Sequence, residues 1–259
     1  MSTLTITRIA HSSALISVDG HSILTDPWYS ERPGYYHGEP YGVALTDLPH
    51  LDGVAVSHDH YDHNDMEAFA AYPHKDVPFA VKRGTAGRTR QAGFLHVNEM
   101  EWWERTSLGI FLVTATPARH SVPENTYVLQ AGDFTVYFGG DTLLIPELSE
   151  IPRRFPRIDV ALLPINGLML RPMLNRKLVM NPEEAAEVCS LLHPPFAVPI
   201  HYTYTAGPFR DRLLLKYHAA PEELLREFVA AATSKAPETQ VRILAPGEQL
   251  RVDSSIPAR

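Results

Sequence analysis

The chain has 259 residues, 44% of them hydrophobic, with 23 basic against 30 acidic side chains and a net charge of −7. That length and apolar content allow one large buried core and argue against disorder, while the acidic balance gives no overall attraction to nucleic acid or anionic membrane, although a local basic patch is compatible with it. The one cysteine, Cys189, rules out an internal disulfide framework, and neither a signal sequence nor an apolar run of about 18 residues is evident, so a cytoplasmic protein without a membrane span is expected.

Residues 4–9, 14–18 and 21–25 read as short strands, with Asp19-Gly20 as the turn of a hairpin. A long irregular stretch rich in Tyr, Pro and Gly follows over 27–49, and a connection of that length is usually functional. Residues 54–56 form a continuous apolar strand and 66–72 a short helix, with a further strand at 78–81. Strands are predicted again at 110–114, 126–130 and 134–138, the last two joined at Gly132-Asp133. A buried strand over 158–163 ends at Pro164. The stretch Asn181-Pro182-Glu183-Glu184 then opens a helix with a capping residue, proline at the first helical position and acids in the first turn. That helix runs to about Leu192, with Cys189 on its core face. A strand at 197–200, an amphipathic helix at 221–233 and strands at 241–244 and 249–252 close the chain. Early strands followed by alternating strands and helices predict a layered α/β domain spanning 1–259, since no composition shift marks a boundary.

The chemistry concentrates in SHDHYDHND, residues 57–65, directly after the buried strand 54–56. The series His58-x-His60-x-Asp62-His63 turns alternating side chains to one concave side. Neutral imidazole and carboxylate suit zinc, manganese or iron; the blander reading is a solvated polar turn. His120 in TPARHS, Asp141 in FGGDT and His201 in PIHY each lie just beyond a predicted buried strand, on loops where layered folds gather functional groups. Singly, each reads as a surface histidine or a turn. Four such elements in order do not.

The series HDHYDH, RHS, GGDT and PIHY, over residues 11–201, resembles the metallo-β-lactamase fold superfamily of metal-dependent hydrolases. The resemblance implies a four-layer αββα sandwich with two divalent transition-metal ions at one edge, zinc first, manganese or iron next. It implies that His58, His60 and His120 hold one ion, that Asp62, His63 and His201 hold the other, and that Asp141 bridges them. Asp62 and Asp141 would then be the carboxylates of the catalytic centre. Two such ions sharing a hydroxide and two carboxylates leave about +1 of charge, which favours an anionic substrate and supplies a nucleophile near neutral pH without a protein base. The expected reaction is hydrolysis of a lactone, ester or phosphodiester in a small molecule. An iron-dependent oxygenase of the same fold and a non-catalytic metal- or ligand-binding member are the alternatives.

Asp141 stands where well-known secreted zinc β-lactamases have cysteine, and His60 separates the chain from the flavodiiron branch. The length leaves little room for the extra domain of RNA-processing members. The opening IAHSSALISVDGHSILTDPW, with PARH and MNPEEA, looks like the branch of ascorbate-6-phosphate lactonase and N-acyl-phosphatidylethanolamine phospholipase D. Leu143-Leu144 and Ile165-Asn166-Gly167 depart from that branch in loops that face the substrate, so no substrate transfers with it.

Asp26 is expected to accept a hydrogen bond from a metal-bound histidine. His11, Asn166, Arg171 and Tyr202, with Tyr204, are candidate substrate contacts, against a surface histidine for His11, an exposed loop arginine for Arg171 and mere packing for the two tyrosines; Asp59 and Tyr61 point away and are structural. The stretch WYSERPGYYHGEPY, residues 28–41, carries Trp28, Tyr29, Tyr35, Tyr36 and Tyr41. It is expected to form a substrate-selecting rim or lid, with loop packing or a contact in a homo-oligomer as the competing roles.

Overall fold

The computed structural model describes residues 2–254. An antiparallel meander opens it: β1 (Thr3–Ala10), β2 (Ser13–Val18) and β3 (His21–Thr25). The chain continues in parallel through β4 (Gly53–Ala55), β5 (Phe79–Lys82) and β6 (Val97–Met100), with the short helices α1 (Met66–Phe69) and α2 (Ala86–Gln91) in the connections. A second sheet runs antiparallel through β7 (Arg105–Leu108), β8 (Phe111–Thr116), β9 (Thr126–Ala131) and β10 (Phe134–Phe138). After α3 (Ile151–Arg154), β11 (Val160–Pro164) adds parallel to β10.

The chain then leaves the sheet for a hairpin of β12 (Met169–Leu170) and β13 (Arg176–Lys177). It returns through α4 (Pro182–Leu192) to β14 (Phe196–Ile200), parallel to β11. Next, α5 (Pro208–Leu213) leads into β15 (Leu215–Lys216), which completes the small sheet beside β12. Finally α6 (Pro221–Lys235) and β16 (Gln240–Val241) extend the second sheet, and β17 (Gln249–Asp253) pairs with β1.

Side-chain alternation explains the layering, because successive residues of a strand face opposite sides. In β2, Ala14, Ile16 and Val18 enter the core between the two large sheets, and Leu15 faces outward. In β11, Val160 and Leu162 share that inner core while Ala161 and Leu163 pack under α4 and α6. A third cluster covers the outer face of the first sheet with Met66, Phe69, Tyr72 and Phe94. Three cores between four layers make the αββα sandwich. Helix α4 begins as predicted: Asn181 accepts from the Glu184 N–H and Glu184 reaches back to the Asn181 N–H, closing a capping box.

The strand and helix bounds follow the sequence expectation to within a few residues where apolar runs are long. Elements without such a run were not foreseen. β6 and β7 are short edge strands, β6 half-buried and β7 exposed at Arg105 and Ser107, and the two-residue strands of the small sheet exist only through their partners.

Topology gathers the motifs. β8, β10, β11 and β14 all run the same way, as do β1, β3 and β4, so the loops after them emerge at one rim of the sandwich.

Candidate metal centre

The segment after β4 folds into a tight turn in which the His63 and Asn64 N–H groups donate to the His60 carbonyl. Asp59 faces outward and accepts from Asn64 Nδ2 at 2.9 Å. This turn leaves His58, His60, Asp62 and His63 pointing inward. His58 Nε2 lies 3.0 Å from His60 Nδ1, and His120 Nε2 lies 3.2 Å from the same nitrogen. Three imidazoles thus converge on one point. A second group joins Asp62, His63 and His201, with His11 beside them.

Asp141 lies between the two groups. Its Oδ2 is 2.9 Å from His201 Nε2, 3.3 Å from His63 Nε2 and 4.0 Å from His120 Nε2. Gly140 makes this approach feasible: it sits at φ +50, and a Cβ there would come within 2.5 Å of Glu124 Oε1 and 2.9 Å of the Ser57 Cβ.

Fixed partners hold the outer ring nitrogens. Asp26, wholly buried, accepts from the Ser57 N–H and hydroxyl at 2.7 Å each and from His63 Nδ1 at 2.6 Å. His120 Nδ1 donates to the Leu178 carbonyl at 3.0 Å, and His58 Nδ1 meets Ser57 Oγ at 2.9 Å. Such contacts set the tautomer that leaves the inner nitrogen free. Asn166 touches His201 Nδ1 through Nδ2 at 2.7 Å while its Oδ1 accepts from the Leu168 N–H. In that orientation the His201 proton sits on Nε2, so ligation through Nε2 calls for the reversed amide.

Burial holds the His58, His60 and His120 rings below the ordinary histidine range, His120 at about 4. They are therefore neutral at pH 7, the form that binds metal. His63 behaves oppositely: burial opposes its charge, but Asp141, Asp62 and Asp26 outweigh it and hold the ring protonated. Asp62 and Asp141 are pulled below the carboxylate range; burial works against this, but His63 acts on both and His201 on Asp141.

The donor set fits metal. His63 Nε2, Asp62 Oδ1, Asp141 Oδ1 and both His11 nitrogens are buried without a hydrogen-bond partner. Orphaned buried polar atoms cost about 1–3 kcal/mol each, and divalent cations held there would satisfy the His63, Asp62 and Asp141 atoms. Imidazole with carboxylate and no thiolate is a donor set for zinc, manganese or iron.

The remaining candidates divide. His11 is fully buried at φ +52, with its ring centroid 4.0 Å from that of His201 and its Nε2 3.4 Å from Asp62 Oδ2. Tyr35 is half-buried, its ring 5.5 Å from Tyr61 and 6.1 Å from Tyr204. Tyr36 pairs by backbone with Thr205 in both directions, and its ring rests on Gly207. Two candidates point elsewhere. Tyr202 is buried in the core under α4 and α6, with the Arg8 guanidinium 4.7 Å from its ring centre, because alternation after His201 turns it away. Arg171 is exposed on the small sheet, where its Nε donates to the Leu215 carbonyl at 2.6 Å.

Sequence reasoning missed Glu124 and Ser57. Glu124 accepts from the Asp141 N–H at 2.7 Å and lies 3.5 Å from His58 Nδ1. Nothing in SVPENT marks it, since its role depends on a bridge to His58 formed in the fold.

Fold and site together define a metallo-β-lactamase-type sandwich with a cluster of histidines and aspartates that could hold metal. Residues 21–202 match the β-lactamase superfamily domain. The chain belongs to that superfamily of metal-dependent hydrolases. It is 28% identical to N-acyl-phosphatidylethanolamine-hydrolyzing phospholipase D 1 of Caenorhabditis elegans, over 87% of this chain and 69% of the relative. It is 29% identical to a metal-dependent hydrolase of Caldivirga maquilingensis, over 94% and 96%. The structure of Igni18, a metallo hydrolase from Ignicoccus hospitalis, superposes with a TM-score of 0.72 at 24% identity, over 97% and 99% of the two chains.

Proposed function

We propose that this enzyme binds two divalent metal ions, zinc first, and hydrolyses a lactone, ester or phosphodiester bond of a small anionic substrate. His58, His60 and His120 would hold one ion and Asp62, His63 and His201 the other, with Asp141 shared. The observation that carries this reading is the position of Asp141 Oδ2 within 4.0 Å of histidines from both groups. Ions bound there act as Lewis acids on a substrate oxygen and lower the pKa of water to about 7.

The chain's own residues supply geometry. Asp26 and Ser57 orient His63 and His58, and Glu124 fixes the Asp141 backbone. His11, Trp28 and Tyr204 wall the Asp62 side of the centre with ring surface and exclude water there. Tyr35 is half-buried beside Tyr61 and Tyr204, and burial and the Asp62 charge both keep its phenol protonated and able to donate to a substrate oxygen. The same reading takes residues 1–259 as one domain, since β17 pairs with β1.

Elemental analysis of purified protein reconstituted at neutral pH tests the proposal; about two equivalents of metal per chain are expected. Asp141→Ala should retain less metal than Asp62→Ala, because it removes the carboxylate between both groups. A stoichiometry near zero, or full retention of both ions in Asp141→Ala, would overturn the assignment.

A further inference from the structure

Among the described residues, eleven large apolar side chains are exposed, and five of them fall in two short segments that pair with each other. Met173 and Leu174 cap the β12–β13 hairpin; Phe209, Leu213 and Leu214 lie on or just after α5. β12 pairs with β15, and the Arg171 N–H donates to the Leu214 carbonyl at 2.9 Å, so the two segments lie side by side. Leu174 is 96% exposed and Phe209 76%.

The backbone gives this exposure weight. Leu174 and Asn175 are both left-handed, at φ +55 and +56. A leucine in that region costs roughly 1–2 kcal/mol, here spent on holding an apolar side chain out in water.

The charge around these tips is opposite to that of the molecule. In a chain of net charge −7, Arg171, Arg176, Arg210, Arg212 and Lys216 are all exposed in the same two segments. Their one acid, Asp211, faces inward, accepting from the Ala206 N–H at 2.9 Å and the Tyr217 hydroxyl at 2.7 Å. Apolar tips inside a basic ring match an anionic lipid surface, where aliphatic side chains enter the headgroup region and arginines meet phosphate. A second copy of the chain fits poorly, because a two-fold contact would set this basic face against itself.

We propose that the face formed by the β12–β13 hairpin and α5 docks the enzyme on anionic membranes, with Leu174 and Phe209 inserted and the surrounding basic residues on lipid phosphates. The hairpin runs on to Leu178, whose carbonyl holds His120. Docking would therefore set the metal centre beside the bilayer.

Sedimentation of the full-length protein with vesicles tests this without any substrate, so an inactive enzyme leaves the readout intact. Binding is expected to vesicles of phosphatidylcholine mixed with phosphatidylglycerol, far less to phosphatidylcholine alone, and to weaken as salt is raised. Leu174→Asp with Phe209→Asp should lower the partition coefficient by at least about tenfold, and Arg176→Glu with Arg212→Glu by a similar factor. All four positions are solvent-exposed, so metal content and thermal midpoint should stay at the wild-type level. Wild-type protein that remains in the supernatant with the anionic vesicles would overturn the proposal. So would a dimer, seen by light scattering, that the Leu174→Asp/Phe209→Asp variant dissociates while vesicle binding is absent; that result assigns the face to a second copy.

Discussion

Asp26 shows how much one side chain outside the ligand set carries. It has no solvent exposure, and burial raises its carboxyl, yet three donors from Ser57 and His63 keep it engaged. Replacing it as Asp26→Asn removes the anion that fixes the His63 tautomer. Metal affinity should fall by about 10–100-fold in a chelator competition, whereas Asp59→Asn, on the outer side of the same turn, should leave it unchanged. The contrast between the two histidine groups yields a pH expectation. His120, lowered to about 4, stays neutral through mild acid, while the raised His63 must lose a proton before it can bind metal. Affinity at the His63 group therefore falls first as pH falls. Dialysis from about pH 7 to about pH 5 should take bound metal from two equivalents through one, not directly to zero. That these histidines converge was legible from their spacing after buried strands. Glu124 was not, because a lone acid in a proline-containing loop carries no local pattern.

At the scale of elements, part of the 28–41 segment is packed onto the rest of the fold. Trp28 is wholly buried and stacks on His37 with centroids 3.6 Å apart, and Tyr36 is bonded to Thr205. The packing role thus covers Trp28 and Tyr36, while Tyr35 is half-buried beside Tyr61 and Tyr204. Tyr35→Ala should keep metal content and thermal midpoint while lowering kcat/KM more for bulky substrates than for small esters. An equal loss for all substrates, with a lower midpoint, would mean that Tyr35 only packs. Helix α4 offers a local test of stability. Asn181→Ala breaks the capping box and should cost about 1 kcal/mol in urea unfolding, without changing the slope. This helix was legible because cap, proline and acids are all local. The polar edge strands β6 and β7 lack such signals and are defined by their neighbours.

Across the whole molecule, the candidate metal cluster joins residues from the two large sheets. His58, His60, Asp62 and His63 follow the first sheet, and His120, Asp141 and His201 follow the second. Chelation should therefore lower the thermal midpoint. Each ion present at about 100 times its dissociation constant contributes about 2.7 kcal/mol, and a chain of this size loses about 2–4 °C per kcal/mol. A fall on the order of 5–10 °C by calorimetry is expected for each ion removed, and an unchanged midpoint would place the metals outside the fold's stability. The sequence by itself determined the strand and helix alternation and the types and order of the candidate ligands, because periodicity, capping and metal chemistry act over a few neighbouring residues. Only the tertiary structure decided which histidines face one another, that Glu124 holds Asp141, that Tyr202 turns into the core and that two segments with apolar tips and arginines lie side by side. Those relations join residues far apart in the chain, and they depend on strand order and register rather than on local composition.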